Sequence, residues 1–251
     1  MDKAIAYTCA SDDIAYYLAE RVEKSFKHFH DLPFKIITAY EAIDIFGKFP
    51  KTEVGSWIAN LSVKVIEHFL QSYETIIKLD ADTLITGRLD EFLDKDYDIA
   101  CSLNCKGVPG IDYEKYPDYC NLGVTAIRSK EFAQEWAKLC YDKKFMEENQ
   151  ISYSEQGVMN YLAFGGKYKA LVVDKEGCYY NETSRDRWKD LKIRHKGLFI
   201  GDRQVKALHW AGGGEISDKY SHPDFPDDVR RFLNEISGTK DFTDGESKER
   251  S

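Results

Sequence analysis

Residues 74–92 read ETIIKLDADTLITGRLDEF, and this stretch decides both the fold and the chemistry. The run TIIKL (75–79) has the length and apolar character of a buried strand. It leads directly into Asp80-Ala81-Asp82, and in an open α/β sheet ligands collect at the carboxyl ends of the strands. Two carboxylates at that edge predict a Mg²⁺ or Mn²⁺ site with positions left for substrate phosphates. The alternative is an exposed turn with two solvated aspartates.

Strands and helices alternate on both sides of this stretch. Short runs with period-two alternation predict strands, and longer runs with apolar residues every three to four positions predict helices. The predicted strands are 3–8, 35–39, 75–79, 97–101, 122–127, 170–173 and 205–209, and the predicted helices are 14–29, with Tyr17 on its buried face, 58–69, 130–140 and 154–164. This order predicts an α/β fold with a mostly parallel central sheet and helices on both faces, in one domain over 1–236 with a flexible polar tail at 237–251.

Composition excludes several classes of protein. Among 251 residues, 43 Asp and Glu against 35 Lys and Arg give a net charge of −8, which argues against nucleic-acid binding. No apolar run approaches the roughly 18 residues that a membrane span needs, so we expect no integral membrane segment. The N-terminal residues lack a signal-peptide layout, and the six cysteines have no metal-site spacing. We therefore expect a cytoplasmic protein with free thiols.

Two classes of enzyme use a strand followed by such an acidic pair. In haloacid-dehalogenase-type phosphatases the first aspartate, here Asp80, is the nucleophile, but that motif closes the first strand of the fold and here it closes the third. The second class is the GT-A glycosyltransferases. Four segments, in the family's order, resemble its retaining glycogenin-like and bacterial lipopolysaccharide-galactosyltransferase-like members: IIKLDADTLITGRLDEFL (76–93), CNLGVTAIRSKEF (120–132), SEQGVMNYLAFGGKYKAL (154–171) and ALHWAGG (207–213).

The resemblance implies a GT-A fold, that is, a single Rossmann-like domain, and a metal-dependent transfer of a hexose. The donor would be a nucleotide diphosphate sugar, with a UDP-sugar favoured, the acceptor a hydroxyl, and the anomeric configuration would be retained. Carried over to this chain, Asp80, Asp82 and His209 would hold Mn²⁺ or Mg²⁺. A core histidine in the apolar run 205–210 is the alternative for His209.

The resemblance also assigns the donor site, within a nucleotide-binding half at about 1–105. Tyr7, Thr8, Asp12 and Asp13 would hold the base and ribose, with stacking on the Tyr7 ring, although Asp12 could equally cap a helix. Lys64 would reach the donor from the helix before the acidic pair, although a solvated lysine fits the pattern as well. Other positions implied to contact the donor are Ala81, Asn104, Asn121, Gly123 and Gly212.

Glu155 and Gln156 are the catalytic candidates implied by the third segment. Glu155 would accept hydrogen bonds from sugar hydroxyls, and Gln156 would lie near the anomeric carbon and stabilise the charge that develops there. The alternative is a plain helix N-terminus capped by Ser152 or Ser154.

The sequence of the acceptor half, at about 106–236, does not identify the acceptor, whether glycan, protein or lipid-linked. One departure from the family is Glu215, which stands where the family has a lysine on the donor phosphate. A non-catalytic protein that binds nucleotide sugars therefore stays an alternative. An inverting enzyme would need a carboxylate base, for which Asp112, Glu114 and Asp118 are candidates.

Overall fold

The computed structural model describes residues 2–10, 13–46, 57–103, 111, 113–114, 117–175, 179–183, 185–210 and 225–238. The strands are β1 (Asp2–Ala10), β2 (Phe34–Thr38), β3 (Tyr73–Leu79), β4 (Thr83–Ile85), β5 (Ile99–Leu103), β6 (Cys120–Ile127), β7 (Ala170–Val173), β8 (Leu191–Arg194), β9 (Gly197–Ile200), β10 (Arg203–Val205) and β11 (Ala207–His209). The α-helices are α1 (Asp13–Phe29), α2 (Ala39–Phe46), α3 (Trp57–Phe69), α4 (Glu91–Asp94), α5 (Lys130–Leu139), α6 (Lys143–Glu148), α7 (Ser154–Phe164) and α8 (Asp227–Ser237), and a 3-10 helix covers Arg185–Asp190.

A six-stranded sheet in the order β2-β1-β3-β6-β5-β7 forms the centre of the domain. Strand β1 is parallel to β2 and β3, and β5 is parallel to β7, whereas β6 runs antiparallel to both β3 and β5. The predicted α/β class with a mostly parallel sheet is therefore confirmed.

Helices cover both faces of this sheet. Because successive side chains of each strand point to opposite faces, the sheet contributes to two separate hydrophobic cores. On β1, Ile5 and Tyr7 belong to the core that includes residues of α3, α5 and α7, and Ala6 belongs to the opposite core with residues of α1. One expectation for α1 is wrong: Tyr17 is 46% exposed and belongs to neither core. Its ring lies on the solvent side of the helix, where the Arg21 guanidinium is 4.2 Å from the ring centroid.

The predicted strand 205–209 is in fact two short strands in different sheets. β10 pairs with β9, whereas β11 pairs with β4, in the register His209 to Thr83. The break falls at Lys206, whose backbone N–H donates to Tyr179 O and whose carbonyl accepts from Thr86 N. Because of this change of partner, the chain passes from the sheet formed by β8, β9 and β10 to β4, the strand that follows Asp82.

Helix α8 is the last helix that the structure describes. Helix α8 includes Ser237, which is buried, so Ser237 does not belong to the predicted flexible tail. Residues 239–251 lie outside the described residues.

Within the described ranges, no helix combines the length and the apolar character needed to cross a bilayer.

Candidate active site

The acidic pair lies where β3 ends, at the carboxyl edge of the sheet. Asp80 N donates to Gly123 O across the neighbouring strand β6, and Thr83 N donates back to Asp80 O, which closes a tight turn. The turn reverses the chain into β4, and Trp210 N donates to Asp82 O at its tip. The backbone of the two aspartates is therefore held by hydrogen bonds to two other segments of the chain.

His209 lies beside this pair because β11 is paired with β4. Its Nε2 is 3.1 Å from Asp82 Oδ1 and 3.7 Å from Asp80 Oδ2. One ligand atom from each of the three residues lies within 4.8 Å of the other two. Two carboxylate oxygens and one imidazole nitrogen suit Mn²⁺ or Mg²⁺, so the three residues fit the predicted ion.

The charge state of His209 follows from this neighbourhood. Burial lowers the pKa of the imidazole, but the Asp82 and Asp80 carboxylates outweigh burial and raise the pKa above its usual range. Proton binding to the ring is therefore strengthened while no metal is bound, and a metal ion would take the place of the Nε2 proton.

A chain of hydrogen bonds fixes the orientation of the His209 ring. Gly123 N donates to Asn121 Oδ1 (2.7 Å), and because the donor is a backbone N–H, this bond decides which end of the Asn121 amide is oxygen. Asn181 Nδ2 donates to the same oxygen (2.7 Å), which turns Asn181 Oδ1 toward His209 Nδ1 at 2.9 Å. An amide oxygen can only accept, so Nδ1 carries a proton and Nε2 is the nitrogen that faces the two aspartates.

Only glycine fits at position 123. A Cβ there would lie 2.2 Å from His209 Nδ1 and 2.9 Å from Asn181 Oδ1. These atoms belong to the orienting chain itself, so any side chain at 123 would have to displace the His209 ring.

A cavity of about 200 Å³ opens beside the acidic pair, between β1, β3, α3 and the start of α7. Its lining residues are Tyr7, Cys9, Ser62, Lys78, Leu79, Asp80, Ala81, Leu122, Glu155 and Gln156. The buried Lys78 ammonium pairs with Asp80 Oδ1 and lies 3.3 Å from Leu122 O. Burial raises the pKa of Glu155 to about 7; Lys78 acts against this shift and Asp80 adds to it. Near neutral pH this carboxyl can therefore either accept or donate a hydrogen bond.

The start of α7 presents Glu155 and Gln156 to the cavity. Trp136 Nε1 donates to Glu155 O (2.8 Å), and Gln156 accepts from Leu122 N (3.3 Å). The helix begins at Ser154, and the N-cap position is Tyr153, whose side chain makes no capping hydrogen bond. The alternative, with Ser152 or Ser154 as the N-cap, is therefore not what the structure has.

The backbone immediately before these two residues is strained. Tyr153 has φ 61° and Ser154 has φ 33°, which are unusual values for residues with a side chain. A Cβ at Gly157 would lie 2.0 Å from Ser152 O, so glycine allows the sharp entry into the helix. Strain of this kind is typical of functional sites.

Three further residues predicted to contact the donor are Tyr7, Thr8 and Lys64. The Tyr7 ring is fully buried against Phe69 and its hydroxyl donates to Ser62 O (2.8 Å), so it has no exposed face on which a base could stack. The Thr8 side chain is buried, and by strand alternation it lies on the other face of the sheet. Lys64 pairs with Glu67 along α3 at 2.9 Å and does not line the cavity.

The other residues predicted for the site either have positions and partners that the sequence did not indicate or lie outside the described residues. Asp13 is the first residue of α1. Asp118, a candidate base, pairs with Lys175 at 2.9 Å, and Glu114 is exposed. The positions outside the described residues are Asp12, Asn104, Asp112, Gly212 and Glu215.

The sequence reasoning missed Lys78 and Asn181. A signal for Lys78 was present, because a lysine two residues before Asp80 in an apolar strand shares its face with Asp80. Asn181 gave no signal, since it belongs to no strand or helix motif. A bridge between Glu182 and Leu208, with Glu182 N donating to Ala207 O and His209 N donating to Glu182 O, brings it to His209.

Comparisons with known proteins agree with this architecture. No protein-family model and no curated protein sequence matches the chain. Among solved structures, the galactosyltransferase LgtC, in complex with donor and acceptor sugar analogs, is similar with a TM-score of 0.62 at 18% identity, over 94% of this chain and 95% of LgtC. The glycosyltransferase GlyE of Streptococcus pneumoniae TIGR4 is similar with a TM-score of 0.59 at 18% identity, over 94% of this chain and 60% of GlyE.

A third similar structure is a glycosyltransferase involved in glycosylation of the major capsid of PBCV-1, with a TM-score of 0.58 at 13% identity, over 88% of this chain and 98% of that protein. At these identities the likeness concerns the fold and not the substrate. The resemblance predicted from the four sequence segments is thus confirmed at the level of the fold, and the chain has the GT-A fold of these glycosyltransferases.

Proposed function

We propose that this protein is a metal-dependent glycosyltransferase that moves a hexose from a nucleotide diphosphate sugar, with a UDP-sugar favoured, to an acceptor hydroxyl. The observation that carries the proposal is the convergence of Asp80, Asp82 and His209 beside a cavity that contains Glu155 and Gln156. The GT-A fold supports it, because the similar structures are glycosyltransferases.

The three ligand residues would hold Mn²⁺ or Mg²⁺ against the donor diphosphate. Such an ion supplies positive charge to the leaving diphosphate when it is bound. The net charge of the chain is −8, so the protein itself offers little general attraction for a diphosphate. This makes a local cation at the acidic pair a requirement of the proposal.

The cavity would take the transferred hexose. Glu155 would accept hydrogen bonds from the sugar hydroxyls, and the Gln156 amide, held by Leu122 N, would face the anomeric carbon. Retention of configuration is part of the proposal, and the resemblance of the four sequence segments supports it.

The phosphatase alternative is not proposed. It requires Asp80 to attack a phosphorus centre, yet Asp80 is paired with the buried Lys78 and stands at the end of the third strand. The similar structures are glycosyltransferases and give that alternative no support.

The test is calorimetric binding of a panel of nucleotide sugars with Mn²⁺, repeated with EDTA and with Asp82→Asn. We expect one nucleotide sugar to bind in a metal-dependent manner, and this binding to be lost in Asp82→Asn. The matched control is Asp96→Asn, an exposed carboxylate that pairs with Lys169 away from the site. Slow release of the nucleotide from that donor would support a transferase over a non-catalytic binding protein, and no binding to any nucleotide sugar would contradict the proposal.

A further inference from the structure

The Lys78 ammonium is a buried cation at the wall of the cavity. Its side chain is 7% exposed, and it stands opposite Tyr7 in the pairing of β3 with β1. An ammonium has three N–H donors, and Asp80 Oδ1 and Leu122 O take two of them. Among the described residues, nothing accepts a third hydrogen bond from Lys78.

Glu155 lines the same cavity and carries the opposite charge when ionised. Each group affects the pKa of the other, but the ion pair of Lys78 is with Asp80 and not with Glu155. A ligand hydroxyl between the two could accept a hydrogen bond from the ammonium and donate one to the carboxylate. Hydrogen bonds to charged partners are the strong ones, and burial strengthens them further.

We propose that Lys78 is the protein cation that holds the transferred sugar, through one hydroxyl of the hexose that bridges Lys78 Nζ and Glu155. The inference rests on the proposed function and goes beyond it, because it assigns the sugar contact to a strand residue. Lys64 on α3, which the resemblance implies to reach the donor, pairs with Glu67 and does not line the cavity. Among the described residues that line the cavity, Lys78 is the one cation.

The experiment compares two ligands, because UDP lacks the sugar and a UDP-hexose carries it. Dissociation constants for UDP, UDP-glucose, UDP-galactose and UDP-N-acetylglucosamine are measured with Mn²⁺ by calorimetry. The proteins are the wild type, Lys78→Met, Glu155→Gln and the control Lys64→Met, and their melting temperatures are recorded. Glu155→Gln leaves the pair of Lys78 with Asp80 in place, so it tests the bridge even where Lys78→Met folds poorly.

For the UDP-hexose that the wild type binds, we expect Lys78→Met and Glu155→Gln each to weaken binding about tenfold or more relative to UDP. The control Lys64→Met should leave the ratio of the two constants within about twofold. Equal losses for UDP and the UDP-hexose in Lys78→Met, or a changed ratio in Lys64→Met, would overturn the inference. A wild type that binds neither UDP nor any UDP-sugar would instead contradict the UDP-sugar donor of the proposed function, and one that binds no nucleotide sugar would contradict that function as a whole, so the failures are distinguishable.

Discussion

Replacing Asn181 by leucine tests whether the hydrogen-bond chain behind His209 controls metal binding. Leucine has a similar size but can neither accept from His209 Nδ1 nor donate to Asn121 Oδ1. A metal ion needs the Nε2 lone pair, which keeps the Nδ1 proton in place. In the variant that proton would face an apolar side chain in a site where His209 is only 3% exposed.

The expected size of the effect follows from that buried, unpaired N–H group. Leaving such a donor without an acceptor costs about 1–3 kcal/mol. At about 1.4 kcal/mol per factor of ten, this corresponds to about a 5- to 140-fold loss of Mn²⁺ affinity. This interval contains the roughly 10- to 100-fold loss that is usual for residues that orient a metal-bound histidine. Without the ion, the ring of the variant can release the Nδ1 proton and keep a proton on Nε2, where Asp82 accepts it. The cost of the unpaired N–H group therefore falls on the metal-bound state.

The assay is calorimetric titration of Mn²⁺ at constant pH, together with the ¹⁵N spectrum of the histidine ring. Asn181→Asp keeps an acceptor for Nδ1 but loses the donor to Asn121 Oδ1, so it should recover only part of the affinity. Tyr97→Phe is the control, because it removes a buried hydrogen bond, from the Tyr97 hydroxyl to Phe92 O, that makes no contact with the ring or with β6 residues 120–123. Wild-type affinity in Asn181→Leu, or an equal loss in Tyr97→Phe, would refute the reasoning.

Two further predictions concern the same site. Gly123→Ala should weaken Mn²⁺ binding at least as much as Asn181→Leu and should lower the melting temperature, because the new Cβ would lie 2.2 Å from His209 Nδ1. Metal titration measures the first effect and thermal unfolding the second. Unchanged metal affinity would count against the close approach of residue 123 to the ring. Glu155 should make the stability depend on pH, since burial raises its folded pKa to about 7 from 4.5. The folded state then binds more protons than the unfolded state between those values, so stability falls as pH rises from about 4.5 to 7 and is level above that range. Denaturant unfolding of wild type and Glu155→Gln across this range should give a difference that changes with pH, and a constant difference would contradict the assignment.

The order of strands and helices could be predicted from sequence because the apolar periodicity is strong. Strands β1, β2, β3, β6 and β7 and helices α3, α5 and α7 fall close to their predicted positions. The antiparallel direction of β6 could not be predicted, since periodicity reports which residues are buried and not which way a strand runs. The split at Lys206 was hidden for a similar reason, because both short strands are apolar and only their partners differ.

The candidate site was predictable where motif and geometry coincide, as at Asp80, Asp82 and His209. The resemblance predicts Lys64 and Tyr7 in the donor site, but the sequence does not give side-chain conformations. Lys64 pairs with Glu67, and Tyr7 lines the cavity with its ring packed against Phe69. Asn181 depends on a bridge between segments far apart in sequence, which no local pattern reports.

The direction of β6 explains why one strand serves both the metal and the sugar side of the site. Because β6 is antiparallel, it begins at the edge where β3 and β5 end, so its first residues join the carboxyl ends of its neighbours. Asn121 orients His209 through Asn181, and Gly123 leaves room for the ring. Between them, the backbone of Leu122 donates to Gln156 and accepts from Lys78. A shift of this strand would therefore move the metal ligand and the sugar contacts together, which couples the two halves of the proposed reaction through one short segment.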